Sequence, residues 1–226
     1  MRVIFNEELK AVADDLDHMA QDVRKAINAS GEALLNADLD AAQNVIDGDI
    51  KIDALEANII NQCVSLLAKQ NPGATDLRVV VSSMRLASTF ERMGDLARHI
   101  AEAARRTYPL SPVPDEAKDL FAQMRDFLDK TADRTVSMLA DRDADVAEQI
   151  ILDDDILDDL HHQTFSMVLD DSWAGTKQQL IDVVLIGRFM ERLGDHAVSA
   201  ARRVTFIVSG FDPSKAPKRD EGTDID

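Results

Sequence analysis

The chain has 226 residues, of which 45% are hydrophobic, 30% charged and only 4% aromatic, and its formal net charge is −17. That length holds one large domain or two small ones, and an apolar set of Ala, Leu, Val, Ile and Met with few aromatics favours an all-helical protein. The acidity argues against nucleic-acid binding and against adsorption to anionic lipid, and no apolar run approaches the ~18 residues of a membrane span.

Leu9, Val12, Leu16, Met19, Val23, Ile27, Leu34 and Leu35 predict a first helix over 6–37, with Ser30-Gly31 as a point of interruption and possible bending. Asp38 predicts the cap of a second helix over 39–69, which Asn71-Pro72-Gly73 ends. That helix carries Cys63, the chain's one cysteine, inside the apolar run 59–67. A small core residue is expected there, with neither an intrachain disulfide nor a thiolate metal site. Thr75 is placed to cap a third helix over 76–107. The proline-rich stretch 108–114 cannot continue a helix and falls near the midpoint.

Beyond it the plan repeats. A fourth helix is expected over 115–141, a fifth over 144–169 with Asp143 as its cap, a turn at 170–175, and a sixth over 176–208. From Gly210 onward apolar residues nearly vanish, which predicts a disordered tail. The expected fold is therefore all-α: two tandem three-helix bundles, 1–108 and 115–209, related by an internal repeat, then a tail over 210–226. The N-terminus lacks the apolar core of a signal peptide, so a cytoplasmic protein is expected.

Glu91-Arg92-Met93-Gly94-Asp95 of the third helix returns 100 residues later as Glu191-Arg192-Leu193-Gly194-Asp195 of the sixth. A glycine inside a helix costs about 1 kcal/mol against alanine, and acids four apart repel. Both faults at the same place in both halves point to a site, where the glycine admits a neighbouring helix and the carboxylates meet a cation. Asp49 and Asp53 on the second helix match Asp154 and Asp158 on the fifth. Residues four apart share a helix face, so facing helices would gather Asp49, Asp53, Glu91 and Asp95 in one unit. Asp154, Asp158, Glu191 and Asp195 would meet in the other. Four such carboxylates need a counter-charge, and oxygen ligands suit Mg, Ca, Mn and iron. For any one pair the alternative is a solvated helix face, since the chain has 42 acids. His161 and His162 read as an exposed polar pair, Trp173 and Tyr108 as packing residues at turns, and Arg92 and Arg192 as partners of helix acids. Arg78 reads as part of the turn that starts the third helix.

The doubled pentapeptide, Asp76-Leu77-Arg78 ahead of its first copy, and the segment from Val45 to Glu56 resemble the PhoU family of phosphate-transport accessory and regulatory proteins. Asp158-Asp159-Leu160-His161 and Gly187-Arg188-Phe189 are similar to its actinobacterial branch. The resemblance covers roughly residues 1 to 210. It implies two three-helix bundles, and metal clusters, of iron first and of Mn, Zn, Mg or Ca as alternatives, on Asp49, Asp53, Glu91 and Asp95 and on Asp154, Asp158, Glu191 and Asp195. It also implies a non-enzymatic negative regulator, a homodimer, that binds the ATPase of a phosphate ABC transporter and a phosphate-sensing histidine kinase at the inner face of the membrane. Gly48 becomes Asp153 and Glu56 becomes His161 in the second unit, so the two clusters need not be alike. A carboxylate-bridged metalloenzyme and a metal-free helical scaffold are the competing readings.

Overall fold

A computed structural model describes residues 2–69 and 72–210. Asn71 and the tail from 211 onward, expected as part of a helix stop and as a disordered segment, lie outside the described residues. Among the described residues seven helices follow in order: α1 (Arg2–Asn36), α2 (Leu39–Lys69), α3 (Ala74–Thr107), α4 (Lys118–Asp141), α5 (Ala144–Leu152), α6 (Asp154–Leu169) and α7 (Lys177–Ser209), with a short 3-10 turn at Asp115–Ala117 before α4. The described residues contain no strand. The expected all-α fold of two three-helix bundles is what forms: α1, α2 and α3 pack together, and α4, α5–α6 and α7 repeat the arrangement.

Several local expectations hold for the reasons given. Asp38 accepts a hydrogen bond from the Ala41 amide at 3.0 Å, and Asp143 accepts from the Asp145 and Val146 amides. Cys63 is fully buried, and burial pushes its thiol up to about 11. No helix among the described residues is long and apolar enough to cross a membrane.

Four details differ. Helix α1 starts at Arg2, because Phe5 is already in the core. It runs unbroken through Ser30-Gly31: the Ser30 hydroxyl donates to the Ile27 carbonyl at 2.8 Å. A Cβ at Gly31 would stand 2.6 Å from Arg125 Cγ of α4, so the glycine serves packing between the units. Helix α3 starts at Ala74 after Gly73 with no side-chain cap, so Thr75 does not cap it. The fifth expected helix is two helices. At Asp153 the backbone tightens into an Ile156 N–H to Asp153 C=O bond, and Arg134 of α4 holds the Asp153 carboxylate at 2.6 Å.

Helices α3 and α7 form the spine of the molecule. Each packs on the helices of its own unit, and the two pack on each other. Phe90, Met93, Ala97, Ile100 and Ala104 of α3, and Met190, Leu193, Ala197, Ala201 and Val204 of α7, belong to one continuous buried cluster. The connection at 108–114 is tied to the first unit by Ser111, whose hydroxyl donates to the Leu34 carbonyl at 2.8 Å, and Val113 is buried. Tyr108, expected as a packing residue, is exposed, whereas Trp173 packs against the core.

Candidate functional site

The Glu-Arg-x-Gly-Asp glycine explains why α2 and α3 sit so close. A Cβ on Gly94 would meet Ile52 Cδ1 at 3.0 Å and Asp49 Oδ1 at 3.4 Å. The second unit repeats this contact with equivalent residues: a Cβ on Gly194 would meet Leu157 Cδ2 at 2.6 Å and Asp154 Oδ1 at 3.5 Å. Each glycine is a gap into which the facing helix lowers an apolar side chain and an aspartate. In both units the first aspartate of the facing pair is brought against the motif.

The expected carboxylates are electrostatic neighbours in both units. In the first, burial raises Asp49 and Glu91 above the usual carboxylate range; Asp53 and Asp95 push both further up. In the second, burial raises Glu191, and Asp195 and Asp158 add to it. Asp154 rises furthest, to about 6, through burial and then the charges of Asp158 and Asp195. Asp49 and Glu191 are buried, whereas Asp53 and Asp195 lie at the exposed rim. Among the described residues, no group of three or more His, Cys, Asp or Glu side chains is arranged to hold a metal ion.

The counter-charges differ between the units. In the first, the Arg98 guanidinium reaches into the constellation. Its Nε donates to Asp49 Oδ2 at 2.6 Å, its Nη2 to Asp95 Oδ1 at 2.8 Å and its Nη1 to Glu102 Oε1 at 2.8 Å. Arg92 adds a 3.1 Å contact to the other oxygen of Asp95 and a 3.4 Å pair with Glu91. These charge-assisted bonds engage Asp49 and Asp95 and set a fixed positive charge among the acids, so the first donor set does not fit a metal ion while Arg98 is in place. In the second unit the residue equivalent to Arg98 is Val198. Arg188 pairs with Glu191, Arg202 lowers Asp154 only through its field, and no ion pair reaches Asp154, Asp158 or Asp195 among the described residues. Three of its four carboxylates, Asp154, Asp158 and Asp195, thus carry no arginine, and oxygen donors of that kind are the chemistry a hard or borderline cation takes.

His161 and His162 are not the exposed pair their sequence suggests. His162 is exposed, but His161 is buried, its Nε2 lacks a hydrogen-bond partner, and burial and the Arg188 charge lower its pKa. Its signal was available: Leu157, Leu160, His161, Thr164 and Val168 share the buried stripe of α6. Arg98 was legible in the same way, lying three residues beyond Asp95 on one helical face. Arg78 does not work at the start of α3. It donates to the Ile207 carbonyl at 3.3 Å, at the C-terminal end of α7, and lies over the Phe206 ring.

Comparison with known proteins places these features in a family. The PhoU domain model matches residues 16–104 and again 121–204. The phosphate-specific transport system accessory protein PhoU homolog 1 of Mycobacterium tuberculosis is 36% identical over 215 residues, covering 95% of this chain and 97% of that protein. PhoU homolog 2 of the same organism is 37% identical over 213 residues, covering 94% and 100%. The crystal structure of PhoU from Pseudomonas aeruginosa superposes with a TM-score of 0.84 at 28% identity, over 92% of this chain and all of that one.

Proposed function

We propose, from the premise that this chain belongs to the PhoU family, that it is an accessory protein of a phosphate-specific transport system and a negative regulator of phosphate uptake and phosphate-starvation signalling. The observation that carries this reading is similarity along nearly the full length to relatives named as accessory proteins of that system, in both halves of the repeat. It acts by binding, not by turnover, with the ATPase of the phosphate ABC transporter and the phosphate-sensing histidine kinase as partners. A net charge of −17 suits basic partner surfaces. The protein works in the cytoplasm as a homodimer and reaches the inner face of the membrane through these partners.

The second acid constellation is the part of this reading that involves a metal. Asp154, Asp158 and Asp195, with Glu191 released from Arg188, are the residues that would hold a cation, iron first and Mn, Zn, Mg or Ca as alternatives. A bound cation would supply charge neutralisation between α6 and α7. Support comes from the missing arginine at Val198 and from the rise of Asp154 to about 6 among its neighbours. The metalloenzyme reading gains no support from the relatives, which are named as accessory proteins of a transport system.

The test of partner binding is direct. Tagged chain is immobilised and challenged separately with the purified transporter ATPase and with the cytoplasmic part of the sensor kinase, with and without inorganic phosphate. Saturable capture of at least one is expected. Failure of both partners to bind in either condition contradicts the proposal.

A further inference from the structure

We propose that the Arg98 guanidinium is the resident cation of the first acid constellation, filling the place of a metal ion, so that this half of the repeat binds none. Each of three guanidinium nitrogens donates to a different carboxylate: Asp49 on α2, Asp95 and Glu102 on α3. One planar fork thus ties two helices together, as a metal would, with donors in fixed directions. The Asp49 carboxylate it holds is buried against the gap left by Gly94. An entering divalent ion would have to displace the guanidinium from Asp49 and Asp95, and its charge would be repelled by any arginine left nearby. Arginine keeps its proton throughout the working pH range, so the counter-charge is permanent.

The internal repeat supplies a control within the same molecule. The motif, the glycine gap and the facing aspartate are shared, but Arg98 is replaced by Val198 and Glu102 by Arg202. The charges at these two positions are therefore rearranged in the second unit, and its aspartates accept no guanidinium among the described residues. If the second constellation takes a cation, as proposed above, response to that metal is confined to α6 and α7. The acids of α2 and α3 then have Arg98, not a metal, as their cation.

The experiment measures Mn²⁺ uptake by chelator-stripped full chain, by equilibrium dialysis and elemental mass spectrometry, with far-UV circular dichroism as the check on folding. Wild-type uptake is expected to be unchanged by Asp49→Asn/Asp95→Asn, and by Asp53→Asn/Glu91→Gln, whose acids accept no bond from Arg98. Arg98→Val, which copies the second unit, is expected to gain about one ion per chain, a gain abolished when Asp49→Asn/Asp95→Asn is added. Arg98→Lys, which keeps the charge, is expected to gain none. Loss of wild-type uptake on substituting the first-unit acids overturns the inference, and so does a folded Arg98→Val that gains nothing. Should Arg98→Val fail to fold, the wild-type arms decide. A wild type that takes up no Mn²⁺ sinks the second-unit metal proposal alone, because the Arg98→Val arm still reads this one.

Discussion

Asp154 shows how a single side chain can report on its constellation. Its pKa of about 6 in the folded chain compares with about 3.9 for an unfolded aspartate. Between those values the folded state keeps a proton that the unfolded state has released. Asp154 therefore adds stability at low pH, and that contribution is lost as pH rises from about 4 to about 6. Asp154→Asn removes the loss. It should raise the urea midpoint near neutral pH in the presence of chelator and leave it almost unchanged near pH 4; equal midpoints at neutral pH would contradict the assignment. The motif glycines make a second prediction. Gly194→Ala gains about 1 kcal/mol of helix propensity but drives a methyl group against fully buried Leu157. Overpacking of this kind costs about 1–3 kcal/mol, so a net loss of stability is expected by denaturant titration, whereas alanine at Gly48, where nothing lies within 4 Å, should stabilise. At this scale recurrence picked out Gly94 and Gly194, against which the facing helices pack. Arg98 and Arg188 were legible only from their i,i+3 spacing to Asp95 and Glu191, because a counter-charge that occurs in one copy leaves no trace in a search for what the copies share.

At the scale of the helix, start signals were read with mixed success, and the failures have a common cause. Asp38 and Asp143 cap as expected because an aspartate before an apolar stripe has few better uses. Thr75 does not, since Gly73 already supplies the extended residue before the first turn. Thr176 instead forms a full capping box with Gln179. Thr176→Ala is expected to cost about 1 kcal/mol, measured by thermal or urea unfolding; an unchanged midpoint would mean that the cap does not limit stability. The division of the fifth expected helix falls in Asp153-Asp154-Asp155, poor helix formers masked by the apolar periodicity on either side. Arg134, 19 residues away in sequence, pairs with Asp153 at that division.

For the molecule as a whole, the two units share one apolar cluster and polar links that cross between them. Arg106 of α3 pairs with buried Asp182 of α7, and Arg24 of α1 reaches Asp133 of α4 at 3.2 Å. The repeat was legible in the sequence, yet this joining face was not, because apolar stripes identify what is buried and not against which partner. Arg106→Ala should be disproportionately harmful for a half-exposed arginine, by about 1–3 kcal/mol, since it strips a buried carboxylate of its ion-pair partner. Because α3 and α7 pack on each other within one apolar cluster, the halves should unfold in one calorimetric transition, and two separated transitions would contradict the shared core.

The measurement that tests the functional account most directly is expression of phosphate-starvation genes in phosphate-replete cells of the source organism from which this chain, and any second family member, has been deleted. The account predicts derepression in the deletion strain and restored repression when this chain alone is returned. Expression that stays fully repressed without the chain would contradict a role as negative regulator of phosphate uptake and signalling.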